Sequence, residues 1–234
     1  MKTARTILFD FDGTLLPCSP YDSEQALLSS LVQTEKKRFR WFERLEARLA
    51  IFVDRKELSA GFFKKVYTKY VRGTHQQTVN KLCSDLAPTI SAETRVAVRE
   101  LKEAGFRLSV ISCGTWDLAN GVLRSCGIRS CFDTVEGNRF RMKSDVVSGM
   151  EMRVANPLQK IRVAESMGIN PAESIAVGDG YTDLPLLDWV RHPVMVDPNG
   201  TKAQRYSKNG YHFIANIQEL PQLIEKLDRG SHQL

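Results

Sequence analysis

The stretch Ile7-Leu8-Phe9-Asp10-Phe11-Asp12-Gly13-Thr14-Leu15 joins an apolar, β-prone run to two acids two residues apart and a glycine. In an extended strand, residues i and i+2 point to the same face, so we expect Asp10 and Asp12 to project together at the strand's end. Unpaired carboxylates are costly in a buried strand, and neighbouring carboxylates repel each other. The pair therefore requires a cation, a shared proton or a functional reason.

Two structural alternatives exist for these acids. One is a solvated strand end, in which water satisfies both carboxylates. The other is an EF-hand calcium loop, but Thr14 and Tyr21 occupy the places of its third acid and its final glutamate. A functional site is therefore the favoured interpretation.

The composition is that of an ordinary globular protein. Of the 234 residues, 42% are hydrophobic and 26% are charged, which fits one sizeable domain or a core with a smaller insert. No apolar run is long enough for a signal-peptide core or a membrane span. The five cysteines form no CxxC pair. We therefore expect no disulfide framework or zinc site, a reducing cytoplasm, and Cys126 and Cys131 in or near the core.

The net charge of +6 is unevenly distributed along the chain. Residues 17–90 hold 13 Lys and Arg against 8 Asp and Glu, a difference of +5. A basic surface suggests anionic partners such as phosphorylated metabolites, nucleic acid or acidic lipid. A solvated helical surface is the alternative interpretation of most of these side chains.

The hydrophobic pattern divides the chain into a helical segment and a strand-helix segment. Between residues 23 and 86 the spacing is helical, and one helix face carries Phe39, Phe42, Leu45, Leu49 and Phe52. From residue 89 onward, predicted strands alternate with helices, which indicates an α/β fold with a parallel sheet and helices on both faces. The predicted strands are 106–112, 174–177, 193–196 and 212–214, with a hairpin at 134–153. The predicted helices are 91–104, 115–126, 157–167, 183–190 and 220–227, followed by a mobile tail.

Nearly ninety residues separate the first predicted strand from the second, far more than a crossover needs. We therefore expect residues 17–88 to form an inserted helical cap domain. Residues 1–16 and 89–234 would together form the core domain.

Polar side chains follow three of the predicted strands. Asp10 and Asp12 end the first, Ser112-Cys113-Gly114 ends the second, and a later strand runs into Asp179 and Asp183. Ligands of open α/β sheets bind beyond the carboxyl ends of the strands. The sequence therefore predicts one polar site at that edge of the sheet.

The three motifs DxDGT, Ile-Ser-x-Gly and GDGxxD, in this order, resemble the haloacid dehalogenase (HAD) superfamily of phosphohydrolases. A helical insert just after the first motif resembles the subclass that contains phosphoserine phosphatases. The resemblance implies a HAD-like Rossmannoid core with a parallel sheet and a small α-helical cap.

The resemblance also implies roles for the acids. Asp10 would be the nucleophile that forms an aspartyl-phosphate, and Asp12 the general acid and then the base. Mg²⁺ would be held by the carboxylates of Asp10 and Asp179 and by the backbone carbonyl of Asp12.

Further residues would bind phosphate or orient the site. Ser112 would donate its hydroxyl to a phosphoryl oxygen, joined by the backbone N–H groups of Cys113 and Gly114. Asp183 would accept hydrogen bonds that orient the site. Taken alone, Ser112 and Asp183 could each be a helix cap.

Lys160 is our candidate for the lysine that neutralises phosphate charge. The family pattern places that lysine near Asn156, four residues earlier and on the same helix face. Lys143 and Arg162 are the next candidates, and an ordinary solvated lysine is the alternative.

The substrate-recognising groups depart from phosphoserine phosphatases. Ser19 stands where that subclass has a glutamate, and Thr182 where it has an asparagine. The cap would then supply specificity through Arg38, Arg40, Trp41, Arg44, Arg55, Lys64, Lys65 and Arg72. For Trp41 packing is favoured over stacking on a substrate ring, and His75 is interpreted as a loop residue.

The expected function is therefore Mg²⁺-dependent hydrolysis of a phosphomonoester, with a small phosphorylated metabolite as substrate. The alternatives are a phosphoserine phosphatase proper, or a phosphotransferase or mutase that uses the same intermediate. A third class is a polyanion-binding module built on the basic segment. We expect a cytoplasmic protein with neither nucleic acid nor membrane as partner, and the sequence predicts no oligomeric state.

Overall fold

The computed structural model describes residues 5–35, 37–56, 58, 60–207 and 209–231. At its centre is one seven-stranded sheet. The strands are β1 Thr6–Phe9, β2 Arg107–Thr115, β3 Thr134–Lys143, β4 Val146–Glu151, β5 Ser174–Gly178, β6 His192–Val196 and β7 His212–Ile214. Their spatial order is β4-β3-β2-β1-β5-β6-β7, and β4 alone runs antiparallel to its neighbour. The predicted α/β fold with a parallel sheet is thus confirmed, and so is the hairpin of β3 and β4.

Helices cover the sheet. They are α1 Ser23–Thr34, α2 Trp41–Arg55, α3 Ala60–Tyr70, α4 Gln76–Leu86, α5 Ala92–Glu103, α6 Trp116–Ser125, α7 Pro157–Ser166, α8 Leu184–Trp189, α9 Thr201–Tyr206 and α10 Leu220–Ser231. The sequence analysis did not predict α9. It also placed a mobile tail from residue 228, whereas α10 continues to Ser231; residues 232–234 lie outside the described part of the chain.

The inserted helices α1 to α4 lie between β1 and β2 along the chain, while β1 and β2 are adjacent and parallel in the sheet. Ile7 is paired with Leu108 on one side and Ile175 on the other. Three of the four β1 residues, Ile7, Leu8 and Phe9, are fully buried. Such burial on both faces is typical of a central strand in a parallel sheet, and it fixes the position of the residues that follow β1.

The apolar face predicted for α2 forms, and it points outward. Trp41, Phe42, Leu45, Leu49 and Phe52 are exposed, and we call these five residues the α2 stripe. The helix packs inward through Ala47, Ala50 and Ile51 instead. Small side chains let α2 lie close to its neighbours, so the larger ones on the opposite face remain outside. The packing favoured for Trp41 is wrong, because its side chain is exposed. Phe39, which precedes α2, is buried.

The cysteines agree with the expected core. All five carry free thiols, and Cys126 and Cys131 are buried. Within the described residues, none of the helices combines the length and the apolar character that crossing a membrane demands.

Candidate active site

Three acids meet at the carboxyl edge of the sheet. Asp10 follows β1, Asp179 follows β5, and Asp183 precedes α8. One carboxylate oxygen of each lies within 4.8 Å of the other two. The structure therefore brings Asp10 and Asp179 together as their positions at strand ends predict, and adds Asp183 to the cluster.

Gly13 permits this convergence. Its φ is +80°, a left-handed conformation that favours glycine, and a Cβ here would lie 2.2 Å from Oδ1 of Asp179. The turn after β1 can approach Asp179 only because residue 13 has no side chain.

Lys160 enters the cluster from α7. Its side chain is fully buried, with Nζ 2.6 Å from Oδ1 of Asp10 and 2.5 Å from Oδ1 of Asp183. Burial by itself would lower the pKa of Lys160, but the two carboxylates outweigh it and raise that pKa. The solvated-lysine alternative is wrong. Asn156 caps α7 by accepting a hydrogen bond from the backbone N–H of Gln159.

The other two lysine-site candidates do not reach the cluster. Lys143 and Arg162 are both exposed, on β3 and α7 respectively. Neither contacts Asp10, Asp179 or Asp183 among the ion pairs of the described residues.

Asp183 orients the loop after β5. Its Oδ2 accepts hydrogen bonds from the backbone N–H groups of Asp179, at 2.9 Å, and Gly180, at 3.0 Å. Asp183 stands at the N-cap position of α8, but its side chain makes no capping hydrogen bond. The carboxylate therefore holds the loop and Lys160, and the helix-cap alternative does not describe it.

Asp12 is held apart from the acid cluster. Its Oδ1 accepts from the backbone N–H of Ser23 at 2.7 Å, and its Oδ2 accepts from the hydroxyl of Ser23 at 3.0 Å. Burial raises the pKa of Asp12 to about 6, although the hydrogen bonds from Ser23 oppose the shift. Such a carboxyl can hold a proton near neutral pH.

Asp10 and Asp179 are also hard to ionise. Burial and then the charge of Asp183 raise the pKa of Asp10 well above its ordinary value, against the opposing effect of Lys160. Burial and Asp183 likewise raise the pKa of Asp179 to about 6, with Lys202 opposing. These pKa shifts express the burial of the acids first and their mutual repulsion second, and a bound cation would relieve the repulsion.

Ser112 lies where β2 departs from regular pairing. The register between β2 and β3 shifts between Ile111 and Thr115, and the hydroxyl oxygen of Ser112 accepts from the backbone N–H of Gly114 at 2.9 Å. Its own hydrogen remains available to a ligand. The N-cap position of α6 belongs to Thr115, so Ser112 is not a cap of that helix.

Asn138, on β3, was missed by sequence reasoning. It is fully buried, and its Nδ2 donates to the carbonyl oxygens of Cys113, at 2.7 Å, and Val154, at 3.3 Å. Its Oδ1 accepts from the backbone N–H groups of Arg153 and Val154. Asn138 thus fixes the Ser112–Gly114 loop from behind. No motif in the sequence signals this role.

A second unpredicted residue is Lys202, on α9. Its Nζ lies 3.1 Å from Oδ2 of Asp179 and 3.1 Å from the carbonyl oxygen of Val196. Because α9 was not predicted, nothing in the sequence pointed Lys202 toward the site.

A cavity of about 530 Å³ opens above these residues. The core contributes Asp10, Asp12, Ser112, Cys113, Gly114 and Thr182 to its lining. Of the eight residues proposed for specificity, the lining includes Arg55 and Lys64; Trp41, by contrast, is exposed on the α2 stripe. Ser19 is exposed and does not line the cavity. His75 is the N-cap residue of α4 and does not line the cavity either.

An ion pair between two of the inserted helices is hydrogen-bonded to the core. Lys64 on α3 lies 2.6 Å from Oε2 of Glu24 and donates to the carbonyl oxygen of Cys113 at 3.1 Å. The hydroxyl of Thr115 donates to Oε1 of Glu24 at 2.6 Å. Glu24 and Lys64 both line the cavity, and sequence reasoning gave no role to Glu24.

Comparison with known proteins places this geometry in a family. The family model for haloacid dehalogenase-like hydrolases matches residues 7–188. A phosphoserine phosphatase from Methanocaldococcus jannaschii is 28% identical over 191 residues, covering 79% of this chain and 82% of the relative. A phosphoglycolate phosphatase from Psychrobacter arcticus is 23% identical and covers 76% of both chains.

The fold is shared with solved structures of phosphatases. A phosphoserine phosphatase structure described as a phospho-aspartyl intermediate analogue superposes with a TM-score of 0.66 at 20% identity, covering 95% of this chain and 99% of the other. This likeness confirms the HAD-like core and helical insert. Since the family model spans all three motifs and most of the sequence, the chain belongs to the haloacid dehalogenase-like hydrolase family.

Proposed function

We propose that this protein is a Mg²⁺-dependent phosphomonoester hydrolase that acts on a small phosphorylated metabolite through an aspartyl-phosphate on Asp10. The observation that carries the proposal is that Asp10, Asp179 and Asp183 each bring a carboxylate oxygen within 4.8 Å of the other two, with Lys160 paired to Asp10 and Asp183. This cluster borders a cavity of about 530 Å³, a size suited to a small ligand.

The donor set fits a magnesium ion. Asp183 uses both carboxylate oxygens in contacts with Lys160 and the loop after β5, whereas Asp10 and Asp179 each have one oxygen that accepts no hydrogen bond from a described residue. Those two carboxylates, with the backbone carbonyl of Asp12, would hold the ion. Bound there, Mg²⁺ supplies the positive charge that lets an anionic phosphate approach an anionic nucleophile.

Asp10 and Asp12 would share the covalent chemistry. An Asp10 oxygen attacks phosphorus while the bond to the leaving oxygen breaks, and Asp12 gives that oxygen its proton. Asp12, now ionised, takes a proton from water, whose oxygen attacks phosphorus and releases inorganic phosphate with Asp10 restored. The hydrogen bonds from Ser23 support this role because they hold the Asp12 carboxyl in place.

Three groups would bind the phosphoryl oxygens. Ser112 retains a free hydroxyl hydrogen, the backbone N–H of Cys113 lies beside it, and Lys160 contributes a buried positive charge. The N–H of Gly114 already donates to Ser112 and would help by orienting that hydroxyl. Preorganised donors of this kind stabilise charge that develops in the transition state.

The inserted residues 17–88 would act as a cap domain that selects the substrate. Arg55 and Lys64 support this, because they face the same cavity as Asp10 from the inserted helices. A cytoplasmic location belongs to the proposal and is supported by the five free thiols.

Phosphoserine is a second candidate substrate, favoured by the relative from Methanocaldococcus jannaschii. Against it stands Ser19, which replaces the glutamate that the resemblance implies and does not line the cavity. Glu24 lines the cavity, but Lys64 already neutralises it.

A panel of phosphomonoesters tests the proposal. With Mg²⁺ present, the protein should release inorganic phosphate from at least one of phosphoserine, phosphoglycolate, sugar phosphates or p-nitrophenyl phosphate. Asp10→Asn should lower the rate at least about 10⁴-fold, since an amide is not a competent nucleophile. Circular dichroism should show an unchanged fold. Retained turnover by Asp10→Asn would contradict the nucleophile assignment, and a phosphorylated second product in place of free phosphate would indicate a transferase.

A further inference from the structure

The α2 stripe is the largest exposed apolar feature that the active site leaves unexplained. Trp41 is 71% exposed, Leu45 59%, Phe52 55%, Leu49 51% and Phe42 46%. At three- and four-residue spacing they form one continuous band along three turns of α2. Five large side chains expose several hundred Å² of contiguous apolar surface, an amount that marks an interaction site.

Arginines border this band. On the helix, Arg44 and Arg48 lie one turn apart along the same edge of the stripe, and Arg48 is exposed. Neither forms an ion pair with any residue that the structure describes. The occupant of the stripe must therefore be apolar in its middle and anionic beside the arginines.

The acids of α2 are already engaged. Glu43 accepts from the backbone N–H of Arg40, and Glu46 pairs with Lys69 and Tyr70. A second copy of this chain would present the same surface in a symmetric contact, where each pair of Arg44 and Arg48 would meet one nearby α2 acid, Glu43, that is in no ion pair with a described residue. Self-association would therefore bury unpaired arginines, which is costly.

We propose that the α2 stripe, with Arg44 and Arg48, binds the surface of an anionic phospholipid membrane. The apolar side chains would enter the boundary between headgroups and acyl chains, with Trp41 at the headgroup level, and the arginines would contact lipid phosphates. The helix lies on the surface and does not span it. This departs from the sequence-based expectation that the protein has no membrane partner.

Helix α2 carries both the α2 stripe and a residue that lines the active-site cavity. Arg55, three residues beyond Phe52, lines the same cavity as Asp10. A protein that rests on the membrane through α2 thus holds its cavity near the headgroup layer.

Vesicle co-sedimentation tests the proposal without any need for catalysis. The full chain is mixed with vesicles of phosphatidylcholine alone, or of equal parts phosphatidylcholine and phosphatidylserine. It should sediment with the mixed vesicles, and less so at high salt, which screens the arginines. Tryptophan emission should shift to shorter wavelength on binding, and Trp41→Phe should remove that shift.

Substitutions test the apolar residues of the α2 stripe and the two arginines separately. Leu45→Ser with Phe52→Ser should weaken binding at least about tenfold, because the buried apolar area falls. Arg44→Gln with Arg48→Gln should weaken it about 30-fold, from two arginines at a negative surface. The matched controls are Val96→Ser, on an exposed apolar residue of α5, and Arg124→Gln with Lys226→Gln, on exposed cations elsewhere. These should bind like the unmodified chain.

Circular dichroism and the Tm of thermal unfolding, unchanged in all variants, show that they fold. The proposal is overturned if the unmodified chain stays in the supernatant with mixed vesicles, or if the stripe variants bind as it does. It is equally overturned if the unmodified chain is a dimer in solution that the stripe variants convert to a monomer, because a second copy then occupies the stripe.

Discussion

The ammonium of Lys160, whose side chain has no solvent-accessible surface, lies 2.6 Å from Oδ1 of Asp10. A second buried carboxylate, Asp183, shares the same ammonium at 2.5 Å. The lysine therefore does two things at once: it neutralises the repulsion of two neighbouring acids and it fixes the orientation of the proposed nucleophile.

Replacement of Lys160 by Met should destabilise the fold by about 3 kcal/mol or more, because two buried acids lose their partner. Urea unfolding in EDTA measures the loss, and Mg²⁺ should recover part of it by supplying a replacement charge. Lys143→Met removes an exposed lysine and should change stability by less than about 0.5 kcal/mol. Equal effects of the two substitutions would show that the buried ion pairs contribute little.

Asp12→Asn should separate the two chemical steps. With p-nitrophenyl phosphate, whose leaving group needs no proton, the variant should release about one p-nitrophenolate per enzyme and then stop, because no base activates water. Intact-protein mass spectrometry should detect the added phosphoryl group, and peptide mapping should place it on Asp10. Steady turnover at the unmodified rate would exclude Asp12 as the base.

Removal of divalent cations should abolish phosphate release, and Mg²⁺ should restore it. Binding is also visible without turnover: at 100 times its Kd, Mg²⁺ should stabilise the fold by about 2.7 kcal/mol, seen as a rise in Tm. Asp179→Asn should remove that rise because it removes a ligand. A Tm that does not respond to Mg²⁺ in the unmodified chain would contradict the metal site.

Asn138 offers a matched pair of substitutions. Asn138→Ala removes all four hydrogen bonds, whereas Asn138→Asp keeps the two that Oδ1 accepts from Arg153 and Val154 and loses the two that Nδ2 donates to the carbonyl oxygens of Cys113 and Val154. Each substitution should lower the free energy of unfolding, measured in urea, by about 1–3 kcal/mol. Both should lower kcat, since the Ser112–Gly114 loop loses its support. Unchanged kcat in both variants would limit Asn138 to a structural role.

Asp133 should make the fold sensitive to acid. Burial opposes its ionisation, but the hydrogen bonds from Lys102 and from the backbone N–H of Leu108 prevail, so the pKa of Asp133 is lowered from 3.8. Its contribution to stability is therefore present above pH 3.8 and is lost as the pH falls through the folded-state pKa.

Because the pair with Lys102 is more than a third exposed, solvent screens it, and Asp133→Asn should cost only about 0.5 kcal/mol at pH 7. The difference in free energy of unfolding between Asp133→Asn and the unmodified chain should vanish in acid. Urea unfolding over a series of pH values measures it, and a difference that stays constant below pH 3.8 would refute the assignment.

Sequence reasoning located the acid cluster because the rule behind it is geometric. The carboxyl ends of parallel strands meet at one edge, so Asp10 and Asp179 had to be close once β1 and β5 were recognised. Helical spacing placed Lys160 on the same helix face as Asn156, near which the family resemblance implies a phosphate-binding lysine. Lys160 was therefore the candidate for that role. The first inference needed local periodicity and one rule of sheet topology, whereas the second combined helical spacing with what the family resemblance implies.

Other parts of the site depend on contacts that local periodicity does not contain. Helix α9 spans Thr201–Tyr206, too short to show an amphipathic pattern, so Lys202 was missed. Asn138 and Glu24 act through partners distant in sequence. On α2, the spacing predicted one apolar face correctly, but Ala47 and Ala50 pack on the opposite side, and periodicity does not tell which face turns inward.

The central place of β1 also sets the order of events during synthesis. Ile7 leaves the ribosome long before its neighbours in the sheet, Leu108 and Ile175. Until β5 has emerged, the strand that bears Asp10 has an unpaired edge and an incomplete core, a state in which chaperones bind nascent chains. A protein shortened before residue 174 would therefore be a candidate for degradation as well as an inactive enzyme.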